Sequence, residues 1–171
     1  MPFSLPPSPI DSDTYSRHRH WMAKAIAIAE EAGIAGEVPV GAIVIDNNHQ
    51  LIAAAANRRQ RDQDPTAHAE ILALREASAR LGTWRLTHCT LYVTLEPCMM
   101  CSGALIAARL GLLVYGADDF KTGSVRSVLN LPDSPASNHR LSVVGGILAV
   151  SCREQLQQWF AQRRASSPSP F

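Results

Sequence analysis

Apolar and polar positions along this chain follow two periods. From Tyr15 to Ala32 the apolar positions recur at helical spacing, with Trp21, Ala25, Ile28 and Ala29 on one face, which predicts a helix. Val38–Ile45 is a short apolar run rich in β-branched residues. The turn signal DNN follows at 46–48, then a second run, Gln50–Ala56, so the pair predicts a hairpin. Asp64 is placed to cap a helix with Pro65 at its first position, running through TAHAEILALREASAR to a stop at Gly82. Thr90–Leu95 reads as a strand, and Pro97 opens a second helix through CMMCSGALIAARL, closed by Gly111. Leu112–Tyr115 is a buried-type strand. A polar stretch rich in Gly, Pro, Ser and Asn covers 116–140, and Leu141–Val144 is a last strand. Ala149–Arg164 is an amphipathic helix with Leu156, Trp159 and Phe160 on its apolar face. Strands alternating with crossover helices predict an α/β protein, a three-layer α/β/α sandwich.

Composition narrows this picture only a little. With 171 residues, 46% of them apolar, the chain is long enough for one domain with its own core. Residues 1–14 are a Pro- and Ser-rich leader and 165–171 a similar tail. Both read as disordered, leaving a single domain at 15–164. No apolar run reaches the roughly 18 residues of a membrane helix, and the first residues lack a basic segment followed by an apolar one. The expectation is a cytoplasmic protein. There, four cysteines (Cys89, Cys98, Cys101, Cys152) suggest metal or redox chemistry rather than disulfides. A formal charge of +1 gives no global attraction for nucleic acid. Any basic surface must be local, at Arg17/Arg19, Arg58/Arg59/Arg61 or Arg163/Arg164.

The chemistry is concentrated in two short stretches. His68 and Glu70 stand two apart in TAHAE, and Pro97 precedes Cys98 and Cys101 in LEPCMMC. Zinc takes thiolate and imidazole ligands in a tetrahedron. Cys98 and Cys101, three apart at a helix start, present both sulfurs to one side, and the helix N-terminus favours their thiolate forms. His68, at the start of the other helix, gives a third ligand. A fourth position left to water marks a catalytic site. Glu70 would then carry protons from that water to a departing nitrogen, which is hydrolytic deamination of an amidine-type ring carbon. A redox CxxC pair needs no His-x-Glu upstream. A structural zinc would need a fourth ligand from Cys89, Cys152, His88 or His139, and the two cysteines read as core thiols.

The stretches EVPVGAIVI (37–45), NRRQRDQDPTAHAEILALREA (57–77), TLYVTLEPCMMCSGALIAARLG (90–111), VYGADDFKTGS (114–124) and NHRLSVVGGIL (138–148) resemble the bacterial tRNA-specific adenosine deaminases, in the cytidine deaminase-like superfamily. The resemblance spans roughly 20–164. It implies a mixed five-stranded sheet flanked by helices, one Zn²⁺ per subunit, a homodimer, and conversion of adenosine to inosine at the wobble position of a tRNA anticodon stem-loop, usually of an arginine tRNA. Carried over residue by residue, His68, Cys98 and Cys101 hold zinc and Glu70 shuttles protons. Asn57 binds the flipped base, Asp119 the target sugar, and Asn138 the anticodon loop. Pro39 and Val40 wall the pocket, the backbone N–H groups of Ala67 and Cys98 serve it, and Phe160, Arg163 and Arg164 touch flanking bases or phosphates. Read on chemistry alone, Asn57 could shape a turn, Asp119 cap a loop, Phe160 belong to the core, and Arg163 and Arg164 suit a helix end. Arg126 stands where the family usually has a small residue, either on a phosphate or outside the site. The alternatives are a free-base or nucleoside deaminase of guanine or cytidine type, disfavoured by ADDFKTG and NHR, and a structural zinc module, disfavoured by Glu70.

Overall fold

The computed structural model describes residues 10–166. Its elements in chain order are α1 (Ser12–Ile34), β1 (Gly41–Ile45), β2 (Leu51–Ala56), α2 (Arg59–Asp62), α3 (Ala69–Leu81), β3 (Thr90–Leu95), α4 (Met99–Ala107), β4 (Leu112–Ala117), β5 (Ser142–Val144) and α5 (Ala149–Ser166). The five strands form one sheet in the order β2-β1-β3-β4-β5. β1 pairs antiparallel with β2 and β3, whereas β3-β4 and β4-β5 are parallel. The mixed sheet is the one expected.

Side-chain alternation divides the core in two. Ala42, Val44, Leu91, Val93, Leu113 and Tyr115 bury one face against Ala69, Ala73, Leu74 and Ala77 of α3 and Leu105 of α4. Ile43, Ile45, Tyr92 and Val114 bury the other against Trp21, Met22 and Ala25 of α1 and Cys152 of α5. Both faces of β1 are therefore covered, and all five of its residues are buried. Gly41 is obligatory there. A Cβ would lie 2.2 Å from the Ala25 carbonyl oxygen and 2.8 Å from the Ala29 nitrogen, so α1 lies directly on the strand.

Several boundaries differ from expectation. α1 starts at Ser12, inside the segment read as leader, because the Asp11 carboxylate accepts from the Asp13 and Thr14 backbone N–H groups at 3.1 and 2.9 Å. Residues 165–166 likewise belong to α5. The rest of the expected leader and tail, 1–9 and 167–171, lies outside the described residues. α3 begins at Ala69 rather than at Pro65. The Asp64 carboxylate accepts from the Thr66 N–H and hydroxyl in a turn of its own, and His68 becomes the N-cap. α4 begins at Met99, with Cys98 as N-cap, and ends at Ala107, before Gly111. α2 was not anticipated. The buried Glu37 carboxylate accepts from the Gln60 and Arg61 N–H groups at its start, at 3.2 and 2.7 Å. Gly82 closes α3 in the left-handed conformation, as predicted.

Candidate metal centre and its pocket

Two helix starts meet at one end of the sheet. His68 and Cys98 are the N-caps of α3 and α4, both with extended backbone, and neither side chain caps its own helix. Cys101, two residues into α4, is fully buried. His68 Nδ1 stands 3.7 Å from Cys98 Sγ and 3.4 Å from Cys101 Sγ, and the three ligand atoms lie within 4.8 Å of one another. Tetrahedral bonds of about 2.0 Å to nitrogen and about 2.3 Å to sulfur would separate N and S by roughly 3.5 Å. The residues present fit a zinc ion in both chemistry and spacing. Among the described residues this is the one such cluster, and it holds three ligands. The other candidates lie elsewhere: Cys89 and Cys152 are buried in the two separate cores, His88 is exposed, and His139 Nε2 bonds the Leu110 carbonyl at 2.7 Å.

The three ligands share charge. A hydrogen bond from Cys101, with further help from His68, brings the Cys98 thiol down to about 4 despite burial. The same Cys98 contact, together with burial, pushes Cys101 up. His68 is raised by its bond to Cys98. Such a set already favours the thiolate a metal needs. Glu70 is 4% exposed, and burial drives its carboxyl above the ordinary range, partly offset by His68. A carboxyl raised in this way suits proton transfer near neutral pH.

His68, Glu70 and Cys98 open into a pocket of about 220 Å³ whose lining also includes Val38, Val40, Asn57, Arg59, Leu95, Glu96, Asp119 and Thr122. Asn57 follows β2, its N–H bonded to the Val40 carbonyl at 3.0 Å and its Nδ2 to the Val38 carbonyl at 3.2 Å. The second bond assigns the amide orientation. Asn57 Oδ1 is left buried without a partner, an acceptor available to an incoming N–H. Asp119 closes a tight turn: its carboxylate accepts from the Lys121 and Thr122 N–H groups at 2.9 and 3.2 Å, and from the Thr122 hydroxyl at 2.7 Å. These bonds outweigh burial and hold Asp119 below the usual carboxylate value.

Glu96 organises this side of the pocket. It is 1% exposed, and its carboxylate accepts from the backbone N–H groups of Asp119 (3.0 Å), Val125 (3.2 Å), Arg126 (2.7 Å) and Ser127 (2.9 Å), and from the Ser127 hydroxyl. Burial opposes the charge, but the donors prevail and keep the carboxyl below its usual value. Gly123 packs so closely that a Cβ would lie 2.5 Å from Glu96 Oε2. The loop from Asp118 to Ser127 is thus wrapped around one buried anion.

A family model described as MafB19-like deaminase matches residues 16–164. The tRNA-specific adenosine deaminase of Haemophilus influenzae is 43% identical over 143 residues, covering 84% of this chain and 83% of the relative. That of Bacillus subtilis is 44% identical over 144 residues, covering 84% and 89%. A solved structure from a study of adenosine-to-inosine editing by tRNA:A34 deaminases at the wobble position superposes with a TM-score of 0.77 at 40% identity, covering 80% of this chain and 98% of that one. The chain belongs to the tRNA-specific adenosine deaminase family.

Of the residues singled out in the sequence of this deaminase, the pocket gathers His68, Glu70, Cys98, Asn57, Val40 and Asp119, with Cys101 behind them. Pro39 does not wall it. Pro39 lines a separate, open groove of about 480 Å³ between α1 and α5, and Val38 takes its place. The Ala67 N–H is used by the Asp64 carbonyl at 3.2 Å. Asn138, Phe160, Arg163 and Arg164 are not among the pocket residues. The Asn138 carbonyl accepts from Arg109 at 2.7 Å. Phe160 stands edge-on to Trp159, their centroids 5.0 Å apart. The Arg163 guanidinium donates to the Gly36 carbonyl at 2.6 Å and lies over the Trp159 ring at 4.2 Å, while Trp159 Nε1 donates to the Gly33 carbonyl. The end of α5 therefore pins the 33–36 turn that leads into Val38 and Val40. Arg126 pairs with Asp118 at 2.9 Å and covers Tyr115. Arg59, from one of the candidate basic clusters, reaches the pocket. Glu96, Val38 and Thr122 were missed. A Glu two residues before a candidate metal ligand was a signal for the first, and the others carried none.

Proposed function

We propose that this chain deaminates adenosine hydrolytically to inosine at the wobble position of a tRNA anticodon, with an arginine tRNA as its substrate. The observation that carries this reading is the buried Glu70 carboxyl beside a three-ligand cluster, at the floor of a pocket sized for one base. His68, Cys98 and Cys101 are the zinc ligands. Zinc held there supplies Lewis acidity that brings the pKa of water toward neutrality. Glu70 takes the proton released from water and returns it to the departing amino group as ammonia leaves. Asn57 accepts an N–H from the edge of the flipped base through its free Oδ1, and Val38 and Val40 close over its face. Asp119 meets the target sugar with whatever acceptor capacity its own turn leaves. Single-stranded loops are read through splayed bases, so local cations such as Arg59 suffice in a nearly neutral protein.

The deaminase domain runs from the start of α1 to the end of α5, it works in the cytoplasm, and it pairs with a second copy. An apolar groove of about 300 Å³ beside α4, lined by Gly103, Ile106, Ala107 and Leu131 among others, supports the pairing. A monomeric mass by light scattering at micromolar concentration would refute that last point. The activity itself is tested by supplying the zinc-loaded protein with an arginine anticodon stem-loop. Free adenosine, cytidine and guanine run in parallel, with inosine and ammonia as readouts. Ammonia from a free base or nucleoside alone would keep the Glu70 chemistry and overturn the substrate.

A further inference from the structure

The turn that carries Asp119 also carries a side chain with no role so far. Phe120 is 77% exposed. A lone exposed apolar residue needs no explanation, but three features set this one apart. First, Asp119 before it and Thr122 beyond it both line the pocket, so the turn that bears the ring borders the pocket, although Phe120 itself does not line it. Second, its backbone is held on every side. The Asp119 carboxylate ties back Lys121 and Thr122, the Gly123 N–H bonds the Asp119 carbonyl at 2.9 Å, and buried Glu96 holds the Asp119 N–H. A ring presented from so constrained a turn loses little entropy when it is covered. Third, cations are near the turn: Lys121 is exposed next along it, and Arg59 lines the pocket that the turn borders. An exposed ring on a turn that borders a pocket admitting one base, with cations nearby, is the arrangement by which proteins hold a single strand. Phe160 is less suited, since its ring is already engaged by Trp159.

We propose that Phe120 is a stacking platform for the base next to the flipped adenosine in the anticodon loop, and so a determinant of substrate recognition in this deaminase. The inference rests on the wobble-deaminase reading. Phe120 contributes to binding, not to proton transfer, because Glu70 lines the pocket and Phe120 does not.

The test compares wild type, Phe120→Ala and Phe120→Trp on the same arginine stem-loop, intact or with an abasic nucleotide 5′ or 3′ of the target. Zinc content and thermal midpoint serve as checks that the exposed substitution leaves the fold alone. Phe120→Ala should raise KM by about 5- to 150-fold, the range that loss of one base–aromatic stack corresponds to, with kcat within about twofold. Phe120→Trp should restore KM. An abasic nucleotide on one of the two sides should penalise wild type but add nothing to Phe120→Ala. An unchanged KM for Phe120→Ala, or abasic penalties equal in both proteins on both sides, overturns the proposal and leaves the activity standing. If wild type makes no inosine from the intact stem-loop, the substrate reading fails and this proposal falls with it.

Discussion

Replacing Glu96 by Gln keeps the side chain's size and removes its charge. The carboxylate meets five donors and no acceptor. A carboxamide can turn its oxygen toward Val125, Arg126 and Ser127, but its NH₂ then faces the Asp119 N–H, donor against donor. The Ser127 hydroxyl can rotate to accept, whereas the Asp119 N–H cannot. The Asp119 bond is lost, at about 1.5–3 kcal/mol, and the three from the Val125, Arg126 and Ser127 N–H groups lose their charge assistance, at about 0.5–1 kcal/mol each, or about 3–6 kcal/mol together if the loop stayed in place. It can instead open toward water, so the measured loss should sit near the lower figure. For a domain of this size about 3 kcal/mol corresponds to a fall of roughly 6–12 °C in Tm. Because the loop carries Asp119 and Thr122 into the pocket, KM for the stem-loop should rise as well, and limited proteolysis should cut between Asp118 and Ser127. The assay is thermal unfolding of zinc-loaded protein, with metal content measured alongside because Cys98 is two residues away. A Tm within about 2 °C of wild type and an unchanged KM would show that Glu96 does not organise the loop.

Other perturbations address the site and the core. Glu70→Gln should retain zinc and fold normally while kcat falls by about 10²- to 10⁴-fold; turnover near wild type would remove Glu70 from the proton path. Cys101→Ala should lower bound zinc to well below one per chain by elemental analysis, and full retention would mean the metal sits elsewhere. His18 is buried against Tyr92, its Nδ1 2.9 Å from the hydroxyl, and burial with nearby Arg17 holds its pKa below 6.5. The unfolded chain then binds more protons than the folded one below about pH 6.5, so stability is full above that value and declines as pH falls through the folded pKa. Denaturant unfolding of His18→Gln should show a shallower decline from pH 6.5 downward than wild type, and parallel curves would exclude His18 as a source.

Local patterns in the sequence accounted for much of the sheet. The β3 boundaries and the β1–β2 hairpin are legible because β-branched apolar runs end at turn residues, and that signal needs no knowledge of the rest of the chain. The candidate metal ligands are legible for the same reason, as each half of the cluster is a short motif at a helix start. Contacts made across the fold were not visible. Asp64 resembles an N-cap, yet its carboxylate is spent on Thr66, which moves the start of α3 to Ala69 and makes His68 the cap. The family resemblance assigned Pro39 to the pocket wall beside Val40, but β1 begins only at Gly41, and before it the chain brings Val38 to the pocket instead. The Glu96 donors lie 23 to 31 residues away, on a loop without periodicity. Arg163 reads as a solvated helix end, while its partner is the Gly36 carbonyl 127 residues earlier.

If the Glu70 site acts on adenosine in the wobble position of an anticodon loop, inosine appears there. The most direct measurement is inosine formation in an arginine anticodon stem-loop, read by mass spectrometry after nuclease digestion, with a loop carrying its adenosine one position away as control. Inosine should form at the wobble position in the first loop and not at all in the second. Equal conversion of both loops, or deamination of free adenosine, cytidine or guanine with the stem-loop untouched, would contradict it.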